Sequence, residues 1–125
     1  MPQQILLVDD EETILNSMAD FLEAHGYVVD RAQELAAAQA LLANYRYDLV
    51  ITDLRLSGVD RAEGLSLIEE IYERYPWTKV ILLTAFRSAD VDEECRLNKV
   101  HAVLDKPKPL PELLQVVRRI LGGEK

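Results

Sequence analysis

Four places in this chain carry a polar side chain within two residues of the end of a short apolar run. These side chains are Asp9 with Asp10, Asp53, Thr84 and Lys106. Two carboxylates about 4 Å apart repel by roughly 4 kcal/mol at an effective dielectric constant near 20, so aspartates that meet need a cation. Oxygen ligands select hard metals such as Mg²⁺. A carboxylate nucleophile, a hydroxyl, a lysine and such a metal together suit phosphoryl transfer.

Each of these residues also has an ordinary structural role. An aspartate after a strand often caps the next helix, a threonine serves in turns, and a lysine is commonly a solvated cation. Four such residues at four strand ends favour one shared site over four unrelated roles. Zinc does not fit the pattern, because Cys95 is the single cysteine and the two histidines, His25 and His101, do not follow strands.

The elements that must position these residues alternate along the chain. Runs without polar alternation predict strands buried on both faces. The five runs are Ile5–Val8, Val28–Val29, Leu49–Ile51, Val80–Leu83 and Ala102–Leu104. Helical spacing between them predicts a parallel sheet covered by helices on both faces, an α/β fold. In the flavodoxin-like strand order 2-1-3-4-5, a three-layer sandwich, the polar side chains converge beyond the carboxyl ends of the strands.

The predicted helices differ in the strength of their apolar faces. The second and third helices are expected to bury two sets of side chains: Leu35, Ala38, Leu41, Leu42 and Tyr45, and then Leu65, Ile68, Ile71, Tyr72 and Tyr75. Ser88 is a good N-cap for the fourth helix. That helix has few apolar residues, so we expect it to be shallowly packed and mobile.

Length and composition predict one domain over residues 1–125, with its core at about 4–121. Hydrophobic residues make up 49% of the 125 and charged residues 29%, which is typical of a globular protein. The net charge of −8 argues against direct nucleic-acid binding by this domain. The sequence shows neither an apolar run long enough for a membrane span nor a secretory signal, and we expect a soluble, cytoplasmic protein.

The order and spacing of the motifs resemble the receiver domains of two-component response regulators, over nearly the whole chain. The matching segments are Ile5–Glu11, Leu49–Leu54, Leu82–Ala85 and Lys106–Pro107. The resemblance implies that Asp53 accepts a phosphoryl group from a histidine kinase or a histidine phosphotransfer protein. It also implies that the domain catalyses only its own phosphorylation and slow dephosphorylation. Phosphorylation would then switch interactions with a downstream output domain or a second copy in a homodimer.

The same resemblance implies a role for each site residue. Asp10, Asp53 and the backbone carbonyl of Arg55 would bind Mg²⁺ directly, and Asp9 would hold it through water. Thr84 would move towards the phosphoryl group and Lys106 would pair with it. The Lys106–Pro107 peptide bond would be cis.

Three features depart from the family pattern. The loop after Asp53 lacks the usual proline, has Ser57 there, and gains about three residues before Gly64. Val103 stands where an aromatic switch residue is usual. The fourth helix carries Asp92, Glu93 and Glu94 in place of small and apolar residues. We therefore expect the response to phosphorylation to run partly through the loop from Leu54 to Gly64 and the fourth helix.

Arg55 and Phe86 each lie two residues after a predicted site residue, Asp53 and Thr84. A long cation and an aromatic ring there would overhang the phosphoryl group. We expect them to restrict attack by water and to lengthen the lifetime of the aspartyl phosphate.

Three other functions remain open at this point. A phosphatase of the haloacid dehalogenase kind also uses aspartate, threonine and lysine, but its nucleophile lies in an Asp-x-Asp motif after the first strand, and here position 55 is arginine. A receiver-shaped interaction module without regulation is compatible with Val103. A flavodoxin is disfavoured, because the first strand is not followed by a phosphate-binding loop.

Overall fold

The computed structural model describes residues 2–53, 62–85 and 87–122. In this part of the chain, five strands alternate with five helices. The elements in chain order are β1 (Gln4–Val8), α1 (Glu12–Ala24), β2 (Val28–Ala32), α2 (Leu35–Asn44), β3 (Leu49–Asp53), α3 (Ala62–Arg74), β4 (Lys79–Thr84), α4 (Ala89–Leu97), β5 (Ala102–Asp105) and α5 (Leu110–Leu121).

The strands form one parallel sheet in the order β2-β1-β3-β4-β5. This confirms the predicted α/β fold and its flavodoxin-like strand order. The register aligns Asp53 with Leu83 and Thr84 with Asp105, so β3, β4 and β5 end at nearly the same level. Loops that follow these strands therefore open at one edge of the sheet.

The sheet divides the core into two clusters. Alternate strand residues face opposite sides, as a strand period of two requires: Leu6 packs with α2, α3 and α4, while Leu7 packs with α1 and α5. Both leucines are fully buried. Strands with two apolar faces explain why the predicted runs show no polar alternation.

The helix termini follow local sequence signals. The Ser88 hydroxyl accepts a hydrogen bond from the Val91 N–H at 3.3 Å and caps α4, as predicted. Gly122, with φ of +71°, ends α5 in the left-handed conformation. The Lys106–Pro107 bond is cis, as the family resemblance implied.

Two tyrosines predicted for the core lie at the surface. Tyr45 is 63% exposed and Tyr72 is 44% exposed, whereas Tyr47 and Leu67, which are absent from the predicted apolar sets, are buried. The reason for Tyr45 is that α2 ends at Asn44 and Tyr45 is extended, with φ of −136° and ψ of 154°. Helical periodicity therefore stops one residue too early for Tyr45 to face the sheet.

The fourth helix is anchored by Val91 and Cys95, both buried against the α2–α4 side of the sheet. Leu97, by contrast, is exposed. The mobility of the fourth helix stays a prediction.

Gly64 lies inside α3, so that helix begins before the predicted end of the preceding loop. Residues 54–61 of that loop, including Arg55 and Ser57, lie outside the described residues, as does Phe86.

Across residues 2–53, 62–85 and 87–122, every helix is too short or too polar to cross a bilayer.

Candidate functional site

The predicted site residues lie at the carboxyl-terminal ends of the strands. Asp9 directly follows β1, Asp53 ends β3, Thr84 ends β4 and Lys106 directly follows β5. Asp9, Asp53 and Thr84 are buried. The Lys106 amide donates a hydrogen bond to the Thr84 carbonyl oxygen at 3.0 Å, which fixes the chain after β5 beside the end of β4.

The Lys106 ammonium group is shared among three carboxylates. Its Nζ atom lies 2.8 Å from Asp9 Oδ2, 2.8 Å from Asp53 Oδ2 and 3.1 Å from Glu11 Oε1. The Lys106 side chain is only 10% exposed. Charge-assisted bonds of this length are strong ones, so the lysine binds β1 and β3 together at the pocket.

Four carboxylates at this site lie close enough to one another to bind one cation. Asp9, Asp10, Glu11 and Asp53 each offer an oxygen atom, and these atoms lie within 4.8 Å of one another. The Glu11 amide donates to Asp9 Oδ1 at 2.9 Å and orients that carboxylate. An all-oxygen set with high negative charge fits a hard divalent cation such as Mg²⁺ or Ca²⁺.

Burial and pairing with neighbouring charges shift the pKa values of Asp9 and Lys106. Burial raises the pKa of Asp9 above its ordinary value, and hydrogen bonds from Lys106 and the Glu11 amide offset part of that rise. Burial acts to lower the pKa of Lys106, but the hydrogen bonds and charges of Asp53 and Asp9 outweigh it. The pKa of Lys106 therefore lies above its ordinary value, and the lysine is a cation at neutral pH.

Sequence reasoning found most of this arrangement and missed one contact. The structure brings Asp9, Asp10, Asp53 and Lys106 together and places Thr84 at the end of the neighbouring strand. Glu11 was not predicted as a site residue, although it contacts Lys106. Its position as the third acid in a row after the first strand was the available signal.

A largely apolar groove of about 210 Å³ adjoins the pocket between α1 and the start of α5. Its walls include Ile14 and Met18 on α1, and Pro107 and Leu110 on the opposite side. Lys106 forms part of the lining, so the groove leads to the acidic cluster.

Comparison with known families and proteins gives consistent matches. A family model described as the response regulator receiver domain matches residues 5–118. The alginate biosynthesis transcriptional regulatory protein AlgB of Pseudomonas aeruginosa is 40% identical over 87 residues, which are 70% of this chain and 19% of that protein. The chain thus spans about a fifth of the length of its AlgB relatives.

A shorter relative and a solved structure match along nearly the full length. The polar-differentiation response regulator DivK of Brucella anthropi is 28% identical over 125 residues, covering 98% of each chain. The crystal structure of a CheY-like response regulator receiver domain protein from Methanospirillum hungatei superposes with a TM-score of 0.91 at 27% identity. That superposition covers 98% of this chain and 96% of the other.

Proposed function

This chain belongs to the response regulator receiver domain family, and on that premise we propose that Asp53 is its phosphoacceptor. The observation that carries the proposal is the shared Lys106 ammonium group, 2.8 Å from both Asp53 Oδ2 and Asp9 Oδ2. It holds the Asp53 carboxylate at the open edge of the sheet, beside other acids suited to a cation. The whole of residues 1–125, with its core at about 4–121, forms one such domain in this proposal.

Asp53 supplies the nucleophile of the transfer. A carboxylate oxygen of Asp53 attacks phosphorus, the new O–P bond forms, and the bond from phosphorus to the donor's imidazole nitrogen breaks. Lys106 donates to Asp53 before the transfer and to a phosphoryl oxygen after it. The Thr84 hydroxyl, at the end of the adjacent strand, donates to another phosphoryl oxygen.

Mg²⁺ is the metal of this proposal. Asp10, Asp53 and the backbone carbonyl of Arg55 would hold it directly, and Asp9 would hold it through water. When bound, the ion neutralises charge that develops on the phosphoryl oxygens. Support comes from the four carboxylates within 4.8 Å of one another and from the preference of Mg²⁺ for carboxylate, water and phosphate oxygens.

The phosphodonor of this proposal is a histidine kinase or a histidine phosphotransfer protein. The groove between α1 and α5 supports this, because it offers apolar contact next to Lys106. Signalling passes to an output domain or to a second copy in a homodimer. The domain acts catalytically only on its own phosphorylation and slow dephosphorylation. A cytoplasmic location belongs to the same proposal, since kinase phosphorylation draws on ATP in that compartment.

Incubation with acetyl phosphate and Mg²⁺, followed by intact mass measurement, tests this function. One phosphate is expected, and alkali or hydroxylamine should remove it, as an acyl phosphate requires. Asp53→Asn should abolish labelling. Asp48→Asn is the matched control, because Asp48 lies at the opposite edge of the sheet and bonds to the Gln4 amide. Equal labelling of wild type and Asp53→Asn would contradict the assignment.

A further inference from the structure

The segments that lead into β3 and β4 carry aromatic and cationic side chains at the surface. They lie at the amino-terminal ends of these strands, opposite the ends that carry Asp53 and Thr84. Trp77, the single tryptophan of the chain, is 44% exposed there, and Arg46 is exposed beside it. Scattered apolar side chains are ordinary on a protein surface, but tryptophan, tyrosine and arginine in contact with one another are typical of binding surfaces.

Trp77 is in contact with a neighbour on each side. The guanidinium carbon of Arg46 lies 4.6 Å from the centre of the Trp77 ring, and the Tyr75 ring meets the indole edge-on with the ring centres 5.9 Å apart. Tyr75 in turn packs against the α2–α4 side of the core. A planar guanidinium group that stacks on a ring keeps the N–H groups of its outer edge available for a further partner.

Hydrogen bonds fix the two segments to each other beneath these side chains. The Thr78 hydroxyl donates to the Tyr47 carbonyl oxygen at 2.8 Å, and the Lys79 N–H donates to the Asp48 carbonyl oxygen at 3.0 Å. Tyr47 and Thr78 are buried and directly follow the arginine and the tryptophan in sequence. The surface is therefore ordered before a partner arrives, which lowers the entropic cost of binding.

The charges at this surface indicate the kind of partner. Lys79, two residues after Trp77, begins β4 at the same end of the sheet. Within residues 2–53, 62–85 and 87–122, neither Arg46 nor Lys79 forms an ion pair, whereas five other cations do: Arg31, Arg87, Arg96, Lys106 and Lys108. In a chain with 22 acidic and 14 basic residues, cations without a carboxylate beside an exposed tryptophan favour an anionic partner.

The small number of cations selects among anionic partners. Affinity for nucleic acids and for anionic membranes grows with the number of cations in contact, and this surface offers two. The net charge of −8 also repels extended polyanions. A short protein segment with one or two carboxylates and an apolar side chain matches both the charge and the aromatic ring.

We propose that Arg46, Tyr75 and Trp77, flanked by Lys79, form a docking surface for a short acidic segment of a partner protein. A carboxylate of that segment accepts hydrogen bonds from the outer edge of the Arg46 guanidinium group, and an apolar side chain packs on Trp77. The five residues of β3 separate this surface from the pocket by roughly 16 Å of strand. A partner docked here leaves the pocket open, so the inference does not depend on the proposed function.

Fluorescence anisotropy of a labelled peptide tests this inference. The probe repeats Glu-Glu-Pro-Leu three times, because proline favours an extended conformation. We expect this peptide to bind, and a peptide that repeats Lys-Lys-Pro-Leu not to bind. The unlabelled acidic peptide should also shift the fluorescence emission of the protein to shorter wavelength. That shift reports on this surface, because Trp77 is the only tryptophan.

Variants assign the binding to individual side chains. Trp77→Ala and Arg46→Ala should each weaken binding of the acidic peptide about ten-fold. Arg46→Lys should restore only part of the affinity, because lysine keeps the charge without the planar group. Arg119→Ala is the matched control, since Arg119 is an exposed cation near the end of α5, far from the tryptophan in sequence. Arg119→Ala and Asp53→Asn should both bind as wild type does, and urea unfolding checks that each variant is folded.

Four results would overturn the acidic segment as the occupant. The first is no binding of the acidic peptide by wild type, and the second is an equal loss of affinity in Arg119→Ala and Arg46→Ala. The third is self-association in analytical ultracentrifugation that Trp77→Ala abolishes, which would make a second copy the occupant. The fourth is an emission shift with phosphatidylserine vesicles or single-stranded DNA but none with the acidic peptide. Each of these results leaves the labelling of Asp53 by acetyl phosphate as a separate question.

Discussion

The pocket at the carboxyl-terminal ends of the strands differs from the cluster around Tyr47 in its net charge and in the partners of its polar groups. The Tyr47 cluster consists of Asp30, Tyr47, Asp48 and Thr78. The Tyr47 hydroxyl donates to Asp30 at 2.6 Å, the Thr78 hydroxyl donates to the Tyr47 carbonyl oxygen at 2.8 Å, and Asp48 accepts the Gln4 amide at 2.8 Å. Each of these hydrogen bonds joins a neutral donor to an acceptor within the chain.

The pocket holds an excess of negative charge. With all groups ionised, its four carboxylates and Lys106 give −4 + 1 = −3. A divalent cation would offset this charge, whereas the hydrogen bonds of the Tyr47 cluster hold β2 and the starts of β3 and β4 together. The two regions therefore differ in how they are held together: hydrogen bonds from neutral donors order the Tyr47 cluster, whereas the pocket collects more negative charge than Lys106 offsets.

Removal of Lys106 should have the largest effect. Lys106→Met leaves Asp9 and Asp53 without their shared cation, and breaking a buried ion pair from one side costs about 3 kcal/mol. Urea unfolding in a chelating buffer should show that loss. Mg²⁺ should restore much of it by binding the uncompensated carboxylates of the folded state.

Lys108→Met is the control for this change. Lys108 is a neighbouring lysine whose contact is a longer one, at 3.5 Å to Glu112 on the protein surface. We expect its loss to change stability by less than about 0.5 kcal/mol. Equal destabilisation by both variants would show that the pocket carboxylates do not depend on Lys106.

Tyr47→Phe should have the next largest effect, and Mg²⁺ should not reverse it. The variant removes a hydrogen bond to a carboxylate, worth about 2 kcal/mol. The free energy of unfolding of this variant should also fall less steeply with rising pH than that of wild type. Burial and the bond to Asp30 raise the pKa of Tyr47, so the folded state keeps a proton that the unfolded chain loses above about pH 10.

Urea unfolding between about pH 9 and about pH 11 checks this sign. Wild type should lose stability as the pH rises, from both Tyr47 and Lys106, because the folded-state pKa of each is raised. Tyr47→Phe should lose only the Lys106 part. An unchanged alkaline slope in Tyr47→Phe would show that the phenol does not titrate with unfolding.

Asp10→Asn should have the smallest effect on stability, and in the opposite direction. It relieves repulsion among carboxylates whose oxygens lie within 4.8 Å, so the metal-free protein should gain about 1 kcal/mol. The same change removes a proposed metal ligand and should weaken Mg²⁺ binding, which calorimetric titration can measure. Unaltered Mg²⁺ affinity would remove Asp10 from the ligand set.

The sheet and most of the pocket could be predicted because both follow from local pattern. Apolar runs such as Leu49–Ile51 show which segments lie between two helical layers, and parallel strands necessarily end at one edge. Asp9, Asp53 and Lys106 each stand within two residues of the end of such a run, so their convergence required only the strand order.

The error at Tyr45 arises where an element ends. Tyr45 fits the helical spacing of α2, but the helix stops at Asn44 and the chain turns, which exposes Tyr45 and buries Tyr47 two residues later. The contact of Glu11 with Lys106 joins residues far apart in sequence. No local pattern specifies which of several neighbouring acids a distant lysine reaches.

Because the sheet divides the core, residues in the two helical layers can be substituted independently of one another. Leu6 and Leu7 are neighbours in sequence, yet they belong to clusters on opposite sides of the sheet. Substitutions without shared packing partners tend to act additively. A lineage could therefore remodel α1 and α5 to suit one binding partner without compensating changes in α2, α3 and α4. The pocket residues at the strand ends would stay unchanged while the surfaces of the two helical layers diverge.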